Sequence, residues 1–221
     1  MRYPFSIFLL SLILISCQSG SKSSEKSAEQ ISIPEIPEGS RALFDGNTLN
    51  NWEITNFGTQ GPVRISEGKI IIGMGEGCSG ITWKNDFPKV NYEVGLEARK
   101  MVGNDFFCGL TFPVNGNFCS LIVGGWGGPV VGLSTIDNED ASENETRVLK
   151  NFEKKVWYRI RLKVSDQKIT AWVNDEELVD FVYTDHKIGI RPEVSLSRPF
   201  GICTWMTSTE IKNFWLKELS Q

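Results

Sequence analysis

The sequence predicts an all-β sandwich of two antiparallel sheets, jelly-roll in style, and three observations predict it. Short runs of alternating apolar and polar residues recur along most of the chain, separated by turn residues. No segment keeps a helical period over a useful length. The 21 glycines among 221 residues suit frequent turns better than helices.

The N-terminus reads as a leader. Arg2 supplies a positive charge, and an apolar run broken only by serines follows from Phe5 to Ile15. That run is shorter than the roughly 20 residues a membrane-spanning helix needs, and it has the length of a signal-peptide core. It ends in Leu14-Ile15-Ser16-Cys17, the pattern of a bacterial lipobox. Residues 1–16 therefore read as a lipoprotein signal peptide and Cys17 as the lipidated residue, whose acyl chains anchor the protein to a membrane. An ordinary signal peptide with a chance cysteine is the alternative. Residues 17–39 are rich in Ser, Lys, Glu and Gln and contain Pro34 and Pro37, which makes them a flexible tether. Residues 40–221 are left as one domain. The expected location is the bacterial cell envelope. Gln18 after the cysteine does not suggest inner-membrane retention, so the outer membrane is preferred, facing the periplasm or the outside.

The strands follow from the pattern. Tyr92–Arg99 alternates cleanly. In Trp157–Val164, Tyr158, Ile160 and Leu162 share one face and Arg159, Arg161 and Lys163 the other. Ile169–Val173 follows, then Asn174-Asp175 as a turn, then Leu178–Tyr183. Further strands are expected at Val63–Ile65, Lys69–Gly73, Gly80–Trp83, Phe106–Phe112, Phe118–Val123, Val130–Leu133, Glu193–Leu196, Gly201–Met206 and Thr209–Leu216. In Phe106–Phe112 the even positions are apolar and predicted to face the core, leaving Asp105, Phe107, Gly109 and Thr111 on the other side. In Ile190–Ser197, alternation places Arg191, Glu193, Ser195 and Ser197 on one face. Such a row lines either a concave sugar groove or a plain solvated surface.

Composition narrows the partners. A net charge of -4 argues against nucleic acid or acidic lipid, which require a basic face. The lipid is then the only expected membrane contact. Seven tryptophans lean toward sugar stacking, although some rings must build the core. Beyond Cys17, the cysteines Cys78, Cys108, Cys119 and Cys203 read as buried free thiols, with a Cys108–Cys119 disulfide as the alternative. The glycine-rich stretches Gly73–Gly77 and Gly124–Gly128 precede no helix, so they read as turns rather than phosphate cradles. His186 is the single histidine, which excludes a multi-histidine metal site, and it reads as a surface residue. The acidic stretch Ser134–Thr146 has three readings. It is a solvated loop, an oxygen-rich site for a divalent cation such as Ca²⁺, or a source of glycosidase carboxylates. In the last case Glu143 and Glu145 would share a strand face, at the roughly 5–5.5 Å spacing of a retaining pair. No residue pattern requires a cofactor, and the metal is left open.

The opening Leu43-Phe44-Asp45-Gly46-Asn47-Thr48-Leu49-Asn50-Asn51-Trp52 resembles the start of the 3-keto-disaccharide hydrolase domain family. The order of Asn91-Tyr92-Glu93-Val94, Trp157-Tyr158-Arg159-Ile160, Ala171-Trp172-Val173-Asn174-Asp175 and Ile211–Leu219 is similar too, so the resemblance covers about residues 40 to 219. It implies a concanavalin A-like jelly roll with a sugar-binding face, acting on a carbohydrate or modified glycoside. The implied reaction is cleavage of 3-keto-glycosides. A base removes the C2 proton, the enolate expels the C1 group, and water adds to the enone. In that frame Glu193 is the first choice of base, followed by Asp105 and Glu143. Arg191 is the donor to the C3 oxygen, with Arg198 in reserve. Trp126 and Trp205 are stacking platforms, and Asn144 is a substrate ligand. Family members often carry histidines before the Asn-Gly turn and near the C-terminus. The matching stretches Thr170–Asp175 and Gly201–Met206 have none. The chain therefore reads as a hydrolase working through carboxylates, or as a non-catalytic carbohydrate-binding lipoprotein of the same fold.

Overall fold

The computed structural model describes Met1 and residues 36–220. The leader, the lipidation site and nearly all of the tether lie outside the described residues. Fifteen strands follow one another: β1 Arg41–Ala42, β2 Trp52–Ile54, β3 Val63–Ser66, β4 Lys69–Ile72, β5 Cys78–Trp83, β6 Tyr92–Val102, β7 Cys108–Val114, β8 Asn117–Gly125, β9 Val130–Ser134, β10 Val148–Leu149, β11 Tyr158–Val164, β12 Lys168–Val173, β13 Glu176–Val182, β14 Gly201–Trp205 and β15 Ser208–Glu218. They form two antiparallel sheets. One runs β13-β12-β11-β6-β15-β4-β3 with β1 added to β15, and the other runs β10-β9-β8-β7-β14-β5-β2. This is the sandwich the alternation predicts.

Period-2 alternation sends one face of each sheet into a shared core. Tyr92, Val94, Leu96 and Ala98 of β6 meet Leu110 and Phe112 of β7 and Leu121 and Val123 of β8 there. The outer face of the eight-stranded sheet is charged, with Arg161 paired to Glu93 and Arg99 to Glu210. Asn174, at φ 58°, makes the expected β12–β13 turn.

The opening motif has a structural explanation. Asp45 Oδ1 accepts the amide N–H groups of Asn47 and Thr48, both at 2.7 Å, and Oδ2 accepts the Thr48 hydroxyl at 2.7 Å. These bonds pin a turn through Gly46, whose φ of 83° favours glycine. The turn delivers Trp52 into the core, where its Nε1 donates to the Leu43 carbonyl at 2.8 Å.

Two predicted features are corrected. Glu193–Leu196 is no strand; Pro192–Ser197 is a 3-10 helix. Pro192 has no N–H to give a ladder, and its fixed φ suits a helical first turn, so the alternation there was fortuitous. The face assignment before β7 also shifts by one. Phe107 is the core residue, while Phe106 lies on the opposite side of the sheet over Gly109, where an added Cβ would be 2.9 Å from the Phe106 ring. The chain bends at Asp105, tied by its N–H to Thr207 Oγ1 at 3.1 Å, before β7 begins. The strands β1, β2 and β10, at two or three residues each, are too short to show a period. All four described cysteines are free and buried. Cys108 lies opposite Val123 and Cys119 opposite Phe112, so these two are not cross-strand partners.

Candidate functional site

On the face of the seven-stranded sheet turned away from the core sits a cavity of about 250 Å³. Ser120 and Ile122 of β8, Ser134 of β9 and Cys78 of β5 form its base. Asp105 and Phe106 wall one side, and Arg191, Glu193 and Val194 wall the other. Trp126 and Trp205, at the ends of the turn after β8 and of β14, complete it. The structure thus brings together five of the residues expected from sequence: Asp105, Arg191, Glu193, Trp126 and Trp205. Most of the lining is apolar, and its hydroxyls are partly spoken for. Ser120 Oγ bonds Thr111 Oγ1 at 3.0 Å, and Ser134 Oγ donates to Asp140 at 3.3 Å.

Asp105 sits where the chain bends into β7. Its Oδ1 accepts the Phe106 N–H at 2.7 Å, and its Oδ2 has only a long contact with the Gly127 N–H at 3.4 Å. It has no ion-pair partner among the described residues. The nearby Gly124–Gly128 turn needs its glycines, with φ of 82°, 84° and 119° at Gly124, Gly127 and Gly128. That turn presents Trp126 to solvent. Lys100 of β6 points inward below this turn and is 5 % exposed. Burial pulls its pKa down, helped by Lys154 and opposed by Asp105.

Arg191 and Glu193 are an ion pair rather than independent groups. Arg191 Nη2 donates to Glu193 Oε1 at 2.8 Å and Nε to Oε2 at 3.3 Å, while Nη1 donates to Asp140. The guanidinium holds the Glu193 carboxyl below its ordinary pKa, which makes it a weaker base. Three of the five guanidinium N–H bonds are committed, so two remain for a ligand.

Other expected site residues lie elsewhere. Glu143 is exposed in the loop and does not line the cavity. Asn144 is a brace: its Nδ2 donates to the carbonyls of Leu133, Glu139 and Asp140 at 2.8–3.1 Å, and its Oδ1 accepts from Thr146. That leaves no group free for substrate. Arg198 donates to the Ser195 carbonyl at 2.8 Å and covers the Phe118 ring, outside the cavity. The acidic stretch is neither a strand nor a cation cage. Asp140 is taken by Arg191, and Asp137 by the ring of His186 and the N–H of Lys187. Among the described residues no group of three His, Cys, Asp or Glu side chains is placed to hold a metal ion. His186, expected as a plain surface residue, ties this loop to the one after β13. Phe106 and Ser120 carry no site signal in the sequence, and Asp140 and Ser134 enter only as members of the acidic stretch, because nothing local in the chain marks what each one meets.

The profile of the 3-keto-alpha-glucoside-1,2-lyase-like domain family matches residues 39–217. The chain belongs to this family. Solved structures share its jelly roll. One is a candidate glycosyl hydrolase from Parabacteroides distasonis, 16 % identical, TM-score 0.55, covering 85 % of this chain and 99 % of that one. A second is the carbohydrate binding module CBM66 from Bacillus subtilis, 11 % identical, TM-score 0.52, covering 76 % and 95 %. A third comes from work on endo-acting O-glycanases of the human gut microbiota, 12 % identical, TM-score 0.53, covering 81 % and 96 %. At these identities the likeness is one of fold. No curated protein matches the sequence.

Proposed function

We propose that the protein cleaves 3-keto-glycosides in this cavity, with Asp105 as the base that takes the C2 proton. The observation that carries the assignment is the contrast between the two carboxylates of the cavity. Glu193 is neutralised by Arg191, whereas Asp105 has no ion pair and keeps lone pairs of Oδ2 for a substrate proton. As the C2 proton leaves for Asp105, its electron pair moves into the C2–C3 bond and charge grows on the C3 oxygen. The spare N–H bonds of Arg191, held in place by Asp140 and Glu193, stabilise that charge. The enolate then expels the C1 substituent, whose oxygen takes up the proton held by Asp105, and water adds across the resulting enone, its hydroxyl to C1 and its proton to C2. Trp126 and Trp205 hold the ring. On this reading one free base suffices, so the absence of histidines from the stretches Thr170–Asp175 and Gly201–Met206 does not stand against the reaction.

The test is turnover of a 3-keto-glucoside by the full-length protein, its Asp105→Asn variant and its Glu193→Gln variant. Asp105→Asn is expected to lower kcat by about 10²–10⁴, and Glu193→Gln by far less. An unchanged rate in Asp105→Asn refutes the base assignment. Absent turnover together with measurable glycan binding favours the second reading, a carbohydrate-binding lipoprotein, which the family match and the two tryptophans also support.

We further infer that Cys17 is lipidated and tethers the domain to the envelope, on the strength of the lipobox and the polar segment after it. Mass spectrometry of the mature N-terminus checks this. An unmodified Cys17, or cleavage at another bond, refutes it.

A further inference from the structure

We propose that Cys78 and Cys203 are a redox-active dithiol at the base of the cavity, which closes to a disulfide by exchange with a low-molecular-weight disulfide. This goes beyond the carbohydrate reading and does not depend on what the cavity binds.

The placement follows from the register. β5 and β14 are antiparallel neighbours, with Cys203 opposite Gly80 and Trp205 opposite Cys78. Residues two apart on a strand share a face, so Cys78 and Cys203 are diagonal neighbours on one side of the sheet. It is the cavity side, because Cys78 is part of the cavity base. A diagonal pair usually stands about 7–8 Å apart between Cα atoms, just beyond the roughly 4.4–6.8 Å of a disulfide. Gly80 removes that gap. A Cβ added there would be 2.8 Å from the Cys203 Cβ and 2.3 Å from the Ile202 carbonyl oxygen, so the strands meet on bare backbone and approach more closely than two side chains allow. Val194, from the 3-10 helix laid over this face, packs with both cysteines in one buried cluster. A hydrogen bond with the Cys78 thiol, and then burial, push the Cys203 thiol well above its ordinary pKa.

The two cysteines differ in access. Cys203 is fully buried, while Cys78 borders the cavity and keeps a small exposed area. Cys78 is therefore the entry point. Its thiol loses a proton, and its sulfur attacks one sulfur of the incoming disulfide, which expels a thiolate that takes up a proton. The Cys203 thiol then loses its proton and attacks the Cys78 sulfur, which expels the second half of the reagent as a thiol. The two cysteines give up two electrons and two protons, and the reagent disulfide leaves as two thiols. Cys108 and Cys119 have no such route. Both are sealed in the main core, and burial raises both thiols.

The test is incubation of the native full-length protein with oxidised glutathione, followed by peptide mapping without reductant. A linked pair of peptides carrying Cys78 and Cys203 is expected, with Cys108 and Cys119 still free, and a dithiol reductant should reverse the link. The Cys203→Ser variant should stop at a mixed disulfide of Cys78 with glutathione, and Cys78→Ser should take up no glutathione at positions 108, 119 or 203. The bond also joins residues far apart in sequence, so the oxidised protein should melt about 5 °C higher than the reduced one. A cross-link between any other pair of these four cysteines, glutathione on Cys203 in preference to Cys78, no modification of Cys78, or a cross-linked protein with no rise in Tm each overturns the proposal. The map of the unsubstituted protein decides the matter even if Cys203→Ser fails to fold.

Discussion

Replacing Trp52 by Phe separates a structural signature from a functional one. Trp52 ends the motif that marks the family, is 3 % exposed, and packs against Phe214 at 5.2 Å and edge-on to Trp83 at 5.0 Å. Phenylalanine keeps the aromatic contacts but removes the 2.8 Å bond from Nε1 to the Leu43 carbonyl. An unsatisfied buried acceptor costs about 1–3 kcal/mol. The smaller ring leaves a gap that adds about 1 kcal/mol. A loss of roughly 2–4 kcal/mol corresponds to a Tm lower by about 5–15 °C for a domain of this size. Thermal unfolding followed by circular dichroism reads the shift, and turnover measured well below the transition reads function. A Tm lowered by less than about 3 °C, or a folded variant with lost turnover, refutes the view that this motif builds the fold and leaves the chemistry alone.

Two further perturbations test the packing and the electrostatics. The hydrogen bond that the His186 ring donates to the Asp137 carboxylate raises the pKa of His186 above its ordinary 6.5. This contribution is fully present below the unfolded pKa and lost as pH rises through the folded value. An NMR titration should place His186 above 6.5, and Asp137→Asn should bring it back down; an unmoved midpoint refutes the pairing. Gly95→Ala should lower stability by about 1–3 kcal/mol through overpacking, since its Cβ would be 2.3 Å from the Trp215 indole. Chemical denaturation measures this, and adding Trp215→Leu should recover much of the loss.

The strands were legible where the two faces of a strand meet different surroundings. Tyr158, Ile160 and Leu162 enter the core while Arg159, Arg161 and Lys163 meet solvent, and the sequence alternates because the environments do. The same alternation misled at Ile190–Ser197, because a pattern reports side-chain order and not ladder pairing, and Pro192 rules the ladder out. The site was half legible for a related reason. Strand-face alternation and the reaction that the family resemblance implies favour Asp105, Arg191, Glu193 and the two tryptophans, and the fold does bring them together. Glu193 is tied up by Arg191 two residues before it, and Asp105 is left unpaired by where the fold sets it, while the guanidinium is held from the far side by Asp140, 51 residues away, a pairing no local pattern records. Asn144 shows the same limit in reverse: its amide looks like a ligand in sequence and is spent on three backbone carbonyls. The residues that carry the family resemblance, Leu43 to Trp52, close a turn and fill a core, while the cavity is walled over its strands by loop residues that the motif does not constrain. Resemblance therefore fixes the scaffold more firmly than the chemistry. The free carboxylate of Asp105 is the part of this chain that must be judged on its own geometry.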